Sequence, residues 1–248
     1  MPRYFIEVFY KGASYSGFQI QRNANSIQAE IEKSLSIFFK ESFSLTGSSR
    51  TDAGVHALSN YFHFDCKRLS VNTEDGLNRV IYNLNAILPA DIVIKKIYPV
   101  AEDAHCRFDA VSREYKYFIC QHKDPFHSDR AYYYPYKLDM ALLNEAATAL
   151  LSYQDFTSFS KRNTQVSSFN CNIIKSEWTM EQGILVYNVK ANRFLRGMIR
   201  GLVGTMLKAG SRKISIDVFR KIIESRDCSN ADFSVPPQGL FLVNVQFI

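Results

Sequence analysis

The sequence shows neither a long apolar run nor the pattern of a signal peptide, and both absences limit the classes of protein that we expect. No stretch approaches the 18 or so consecutive apolar residues that indicate a membrane-spanning helix. The first residues enter a predicted strand at once and have no signal-peptide anatomy. We therefore expect a cytoplasmic protein with no membrane partner.

Cysteine is also scarce, and the five cysteines form no motif. They stand at positions 66, 106, 120, 171 and 228, with no Cys-x-x-Cys pair and no His/Cys cluster at metal-ligand spacing. An odd number of scattered cysteines is typical of reduced thiols rather than of a disulfide framework. We expect neither disulfides nor a bound metal.

Positive charge and aromatic rings are plentiful, although there is only one tryptophan. The 248 residues carry a net charge of +6 and a pI of about 9.0, with 14 Tyr and 19 Phe. The charge favours a polyanionic partner such as RNA, DNA or an anionic membrane surface. Aromatic rings suit the stacking of unpaired bases, but an aromatic-rich β core would contain them equally.

Strand and helix patterns follow the order β-α-β-β-α-β twice along the chain, with one extra helix in the second half. Helices are predicted from Ser26 to about Lys40, from Asn72 to Leu88 and after Asp139, and also over 194–209 and 216–224. Strands are predicted over 3–10, 43–46, 61–66, 92–99, 114–121, 173–180, 184–191 and 240–247. A polar stretch, 161–172, is predicted as a basic loop.

Each half of this pattern matches a ferredoxin-like unit, in which four antiparallel strands carry two helices on one face. We therefore predict an α+β fold of two ferredoxin-like halves, with antiparallel sheets and an active-site cleft between them. The predicted domains are 1–104 and 105–248.

A short polar loop with glycine at both ends, Gly47 to Gly54, separates two predicted strands of the first half. Its middle carries one cation, Arg50, and one carboxylate, Asp52. Loops held by rigid strands often present catalytic groups. A surface ion pair in an ordinary turn would have the same composition, so these residues alone leave both interpretations open.

The predicted helix 194–209 combines an arginine stripe with a glycine stripe. The arginines are at 193, 196 and 200, and the glycines at 197, 201 and 204. Each glycine costs a helix about 0.5–1 kcal/mol relative to alanine. Three on one face therefore predict a close approach, either by a sugar-phosphate chain or by a packed helix.

Seven segments resemble, in order, the motifs of the tRNA pseudouridine synthase A family. They are Tyr15-x-Gly17-Phe18-Gln19; Arg50-Thr51-Asp52-Ala53-Gly54-Val55-His56-Ala57; Leu84-Asn85-x-x-Leu88-Pro89-x-Asp91-Ile92; His105-Cys106-Arg107 with Ala110-x-x-Arg113-x-Tyr115-x-Tyr117; Asp155-Phe156-x-x-Phe159; Phe194-Leu195-x-x-Met198-Ile199-Arg200; and Pro237-x-Gly239-Leu240-x-Leu242. The sequence departs from the family pattern at Phe18 (usually Trp), Ser49 (Gly), Cys106 (Ala) and Gln154 (His). None of these departures removes a charged catalytic group.

The resemblance implies isomerisation of uridine to pseudouridine at positions 38, 39 and 40 of the tRNA anticodon stem-loop. It implies a homodimer that needs no cofactor and no metal. It makes Asp52 the catalytic residue and implies substrate contacts for Arg50, Tyr115, Arg200 and Leu240. The candidates for phosphate contacts, each of which would also suit a solvated surface, are Arg107, Arg113, Lys161, Arg162 and Arg196.

Three other functions remain open at this stage. A divergent relative could act on another RNA. A non-catalytic RNA-binding module could use the same sheets and would not need Asp52. An aspartate-dependent hydrolase would usually need a second carboxylate or metal ligands, and neither stands at useful spacing in the loop.

Overall fold

The computed structural model describes residues 1–69, 73–162 and 166–247. In these ranges the elements are, in chain order, β1 (Arg3–Tyr10), α1 (Ile27–Phe39), β2 (Thr46–Gly47), β3 (His56–Asp65), α2 (Glu74–Ile87), β4 (Ile92–Val100), β5 (Ala110–Cys120), β6 (Tyr132–Tyr133), α3 (Met140–Ala149), β7 (Ile173–Glu181), β8 (Ile184–Ala191), α4 (Met198–Gly210), α5 (Ile216–Glu224) and β9 (Leu240–Phe247). The predicted helix start at Asn72 and residues 163–165 of the predicted basic loop lie outside the described residues.

The chain divides into two compact units. The first comprises Met1–Val111 with Leu242–Ile248, and the second comprises Ser112–Phe241. The predicted domains 1–104 and 105–248 were defined by the order of strands and helices. The division into compact units uses a different criterion and does not test them, so they stay a prediction.

In the first unit, β1 lies between β4 and β3 and is antiparallel to both, while the short β2 pairs with β3. One face of β1 is an apolar core that contains Tyr4, Ile6 and Val8. On the opposite face, the ring of Phe5 packs against Phe247 of β9, with ring centroids 5.3 Å apart. The sheet of this unit therefore buries apolar groups on both faces.

The helices of the first unit begin and end where local chemistry predicts. The hydroxyl of Ser26 accepts a hydrogen bond from Ala29 N at 3.3 Å and caps α1. Helix α2 ends before Pro89, because Leu88 takes the extended conformation (ψ 150°) that a following proline favours. Both helices are confirmed, with boundaries shifted by one or two residues.

In the second unit, β8 lies between β5 and β7 and is antiparallel to both, and β6 adds a short parallel pair to β5. The single tryptophan, Trp178, is buried between β7 and α4, where its Nε1 group donates to Met206 Sδ at 3.4 Å. The predicted α+β class with mostly antiparallel sheets is confirmed.

Several predicted boundaries are wrong. The strand expected at 43–46 exists only as Thr46–Gly47, β3 begins at His56 instead of Tyr61, and β5 begins at Ala110. Helix α4 begins four residues later than predicted, because Gly197 adopts a left-handed conformation (φ 74°) that interrupts the helix.

Candidate active site

The loop between β2 and β3 is held at its start by a buried asparagine. The Nδ2 group of Asn60 donates to the Ser49 carbonyl at 3.0 Å and to the Tyr10 hydroxyl at 3.1 Å. Its Oδ1 atom accepts from the Ser48 hydroxyl at 3.1 Å, and the Tyr10 hydroxyl lies 2.8 Å from Thr51 Oγ1. Because buried polar networks of this kind are rigid, the start of the loop is fixed to β1 and β3.

The segment 15–19 packs along the same loop. Gly17 has φ +117°, and a Cβ atom there would lie 3.2 Å from the Thr51 carbonyl oxygen. Phe18 N donates to that oxygen at 3.1 Å, and the Phe18 ring stacks on Phe62 with centroids 4.5 Å apart. A Cβ atom on Gly47 would lie 2.1 Å from the Phe18 ring, so glycine is required there.

The motif that contains Asp91 is joined to the segment 15–19 by a short hydrogen bond. The Tyr15 hydroxyl donates to Asp91 Oδ1 at 2.6 Å, just before β4. Burial, and then this carboxylate, raise the pKa of Tyr15, so the phenol keeps its proton. Three segments that are far apart in the sequence therefore hold one loop.

Asp52 lies in the half-buried middle of this loop. Its carbonyl accepts from Val55 N at 3.2 Å, and Gly54 (φ 78°) allows the tight turn that follows. Within the described residues, the Asp52 carboxylate has no hydrogen bond or ion pair, and Arg50 is exposed and makes no salt bridge with it. The interpretation of Arg50 and Asp52 as a surface ion pair is therefore wrong, and the carboxylate is open to a ligand.

Tyr115 lies on β5, opposite Val189 of β8. It is 8% exposed, and its ring meets the Phe194 ring edge-on at 5.1 Å. Two residues further on, the fully buried Tyr117 donates its hydroxyl to the Pro236 carbonyl at 2.7 Å.

Arg200 and Leu240 belong to one structure within the second unit. Arg200 Nε donates to the Val235 carbonyl at 2.7 Å, and its Nη2 donates to the Phe233 carbonyl at 3.3 Å. This segment leads into the turn Pro237–Gly239 and then into the buried Leu240. An arginine has five N–H donors, so Arg200 can hold this segment and still donate to an anion.

The glycine stripe of α4 does not offer a bare face. A Cβ atom on Gly204 would lie 2.2 Å from the Asp232 carbonyl oxygen, and one on Gly201 would lie 2.8 Å from the Phe233 ring. Neither predicted alternative, a sugar-phosphate chain or a packed helix, is therefore right, because the chain's own non-helical 232–233 segment fills the space. The predicted helical stripe of arginines is also wrong, since Arg193 and Arg196 precede the helix.

Three of the predicted phosphate contacts lie together in the second unit. Lys161 N donates to the Arg196 carbonyl at 3.0 Å, and the Lys161 side chain covers Gly197. Lys161 and the exposed Arg162 line a cavity of about 260 Å³ beside Arg226, which is paired with Asp155 at 2.9 Å. Arg113 donates to the Asn192 carbonyl at 3.1 Å.

The fifth predicted phosphate contact, Arg107, shares a cleft of the first unit with Arg50. Arg50 and Arg107 both line a cavity of about 220 Å³. The Arg107 guanidinium lies 6.0 Å from the centre of the Phe108 ring, which is 76% exposed. Neither Phe108 nor Asn60, whose hydrogen bonds clamp the start of the loop between β2 and β3, is among the sequence predictions. Asn60 lies just before the predicted strand 61–66, and no pattern in the sequence indicated its role.

Two features that other functions would require are absent from the described residues. No group of three or more His, Cys, Asp or Glu residues that could hold a metal is found there. No helix within the same residues is long and apolar enough to cross a membrane. The five cysteines are free thiols.

Comparisons with known proteins agree over nearly the whole chain. A profile of the family described as "tRNA pseudouridine synthase" matches residues 8–109 and 146–247. The chain is 44% identical over 250 residues to tRNA pseudouridine synthase A of Parabacteroides distasonis, covering 100% of this chain and 96% of that one. It is 44% identical to the protein of that name from Bacteroides fragilis (100% and 97% covered) and 34% identical to the one from Staphylococcus aureus (98% and 90% covered).

Proposed function

Since the chain belongs to the tRNA pseudouridine synthase family, we propose that it isomerises uridine to pseudouridine in tRNA. We propose positions 38, 39 and 40 of the anticodon stem-loop as its targets. The observation that carries the proposal is the Asp52 carboxylate, which has no ion pair within the described residues and stands on a loop clamped by buried hydrogen bonds.

The reaction needs little equipment beyond a positioned carboxylate. The N1–C1′ glycosidic bond breaks, the uracil rotates, and a C5–C1′ bond forms while the C5 proton leaves and N1 takes up a proton. Substrate and product are isomers, so no oxidant, water or other co-reactant is consumed. Asp52 acts in its ionised form, either by attack on the substrate or by removal of a sugar proton.

The remaining site residues bind and orient the nucleotide in this proposal. The target base must leave its stack before a carboxylate can reach C1′, and Arg50 fills part of the space that the base leaves. Tyr115 lies against the base, and its hydroxyl mediates proton transfer from C5. Leu240 forms an apolar wall for the base. Of the two partners that the resemblance implies for Arg200, Asp52 or a phosphate, we propose the phosphate, because the Asp52 carboxylate has no ion pair within the described residues.

The tRNA backbone is bound by cations outside the pocket. Lys161, Arg162 and Arg196 are close neighbours on one surface of the second unit, which suits contacts to successive phosphates. Arg107 and Arg113 add contacts elsewhere.

We also propose that the protein is a cytoplasmic homodimer in which each tRNA touches both subunits. Light scattering at micromolar protein concentration measures the oligomeric state.

The test incubates the full chain with an unmodified tRNA transcript that carries tritium at uridine C5. Isomerisation releases the label into water and leaves the RNA intact. RNA binding without release would support a non-catalytic binding module, and free uracil or a cleaved strand would support a hydrolase. Either result would overturn the proposal. A transcript with cytidine at 38, 39 and 40 is the matched control, and it should release no label.

A further inference from the structure

The cleft that contains Arg50 and Arg107 is not explained by the isomerisation itself. Its lining also includes Gln19, Phe18 and the pair His105 and Phe108, all within the first unit. Asp52 stands two residues beyond Arg50 and does not line the cleft. A nucleotide in the cleft is therefore not the reacting nucleotide itself.

Phe108 presents a flat apolar ring to this cleft from a rigid turn. Its ring stacks on His105 with centroids 4.2 Å apart, and the His105 ring in turn meets the His63 ring at 4.6 Å. Phe108 N donates both to the His105 carbonyl at 3.0 Å and to His105 Nδ1 at 3.3 Å. Asp109 Oδ2 closes the turn by accepting from His105 N at 2.7 Å. The exposed ring is thus held in place without being buried.

The groups around this ring have the charge and hydrogen-bonding capacity that a nucleotide requires. The guanidinium groups of Arg50 and Arg107 border the cleft, and both residues are exposed. The exposed amide of Gln19, which is both donor and acceptor, makes no hydrogen bond within the described residues. A flat ring, two cations and an open amide together suit a base with its phosphate better than they suit an apolar ligand.

We infer that this cleft binds one unpaired nucleotide of the RNA substrate, adjacent in the strand to the target uridine, with its base stacked on Phe108. The phosphate of that nucleotide is held by Arg107, and the base edge meets the Gln19 amide. Because it concerns the RNA that the proposed function requires, the inference rests on that function.

The test measures base stacking directly. An anticodon stem-loop carries 2-aminopurine at the position next to the target uridine, and its fluorescence is followed as protein is added. Stacking on Phe108 should quench the fluorescence, and Phe108→Ala should remove the quenching and raise the Kd about tenfold. Phe108→Tyr keeps a ring and should retain both. The matched control is Phe126→Ala, because Phe126 is 80% exposed in the second unit.

Phe108 is so exposed that its truncation opens no core, and an unchanged unfolding temperature confirms that the variant is folded. Quenching and Kd that are the same in Phe108→Ala and in the wild type would overturn the inference. This failure is distinct from that of the proposed function, because tritium release by the wild-type chain tests isomerisation independently. If the wild type releases label but Phe108→Ala keeps its quenching, only the cleft assignment is wrong.

Discussion

The two ends of β3 carry two carboxylates in opposite situations. At its C-terminal end, Asp65 receives two hydrogen bonds from the Arg3 guanidinium, at 2.8 and 3.0 Å, and this contact lowers the pKa of the carboxyl. Before its N-terminal end, Asp52 has no such partner within the described residues. One carboxylate is satisfied by the protein and serves the fold, while the other is held in place and left open for substrate.

The two aspartates differ in which part of the residue the protein binds. Around Asp65 the side chain itself is bound, whereas around Asp52 the backbone is bound and the side chain is not. Asn60 and Tyr10 hold the loop by its carbonyl and hydroxyl groups. The site therefore gains a fixed position for Asp52 without losing the acceptor capacity of its carboxylate.

The largest expected effect separates the two carboxylates by activity. Asp52→Asn should lower turnover by about 10²–10⁴-fold, because the amide can neither attack nor accept a proton. Asp65→Asn makes the same chemical change at the other end of β3 and should leave turnover within about twofold of wild type. Tritium release measures both. Equal losses in the two variants would contradict the contrast between them.

The next effect tests the clamp. Asn60→Ala should lower the free energy of unfolding by about 2–4 kcal/mol, because it leaves several buried polar groups unsatisfied. It should also lower the turnover of the folded fraction. Asn144→Ala is the matched control, since the amide of Asn144 also donates and accepts hydrogen bonds, in this case with the Trp178 backbone in the second unit. That variant should lose stability but keep its turnover per folded molecule.

A smaller effect should appear as pH dependence of stability. Burial, and then the charges of His105 and Arg3, lower the pKa of His63 to about 4, while Asp65 and Asp109 oppose this shift. An unfolded histidine titrates near pH ~6.5. Between these values the unfolded chain binds a proton that the folded chain does not, so the free energy of unfolding should fall as pH falls from 6.5 to 4.

Urea denaturation at several pH values measures this slope. His63→Gln should reduce the slope between pH 6.5 and 4 while leaving the more acidic region unchanged. An identical slope in the variant and the wild type would show that His63 is not its cause.

The smallest effect concerns the satisfied carboxylate. Asp65→Asn should cost about 0.5–1 kcal/mol of unfolding free energy at pH 7, because the pair with Arg3 is partly exposed to solvent. The pKa of Asp65 is lowered on folding, so its contribution is present above the unfolded value of about 3.9 and is lost as pH falls through the lower folded value. The variant and the wild type should therefore converge in stability as the pH falls below the folded pKa of Asp65, and a difference that persists when the carboxyl is protonated in both states would contradict this origin.

The elements were predictable where local chemistry decides them. Ser26 predicts the start of α1, and Pro89 predicts the end of α2, because a cap and a proline act within a few residues. The predicted start of α4 was wrong because it depends on Gly197, whose left-handed conformation accompanies the packed Lys161 side chain. A contact over more than thirty residues leaves no periodicity in the sequence.

The site residues also divide into those that a local motif identifies and those that depend on distant contacts. Asp52 could be selected because its motif is local and specific. The clamp by Asn60 could not, because its partners come from β1, from β3 and from the loop, and no spacing in the sequence brings them together. The role of the glycines of α4 was misjudged for the same reason, since the segment that covers them lies about thirty residues further along the chain.

The most direct test of the role of Asp52 mixes the Asp52→Asn protein, in molar excess, with unmodified tRNA. Pseudouridine is then measured after digestion of the RNA to nucleosides. Excess protein binds all the RNA, so that only the chemical step is observed, and a filter-binding assay on the same sample verifies that the RNA is bound. We expect bound tRNA with no pseudouridine after the time in which the wild type completes one turnover. Pseudouridine formed at the wild-type rate would contradict it.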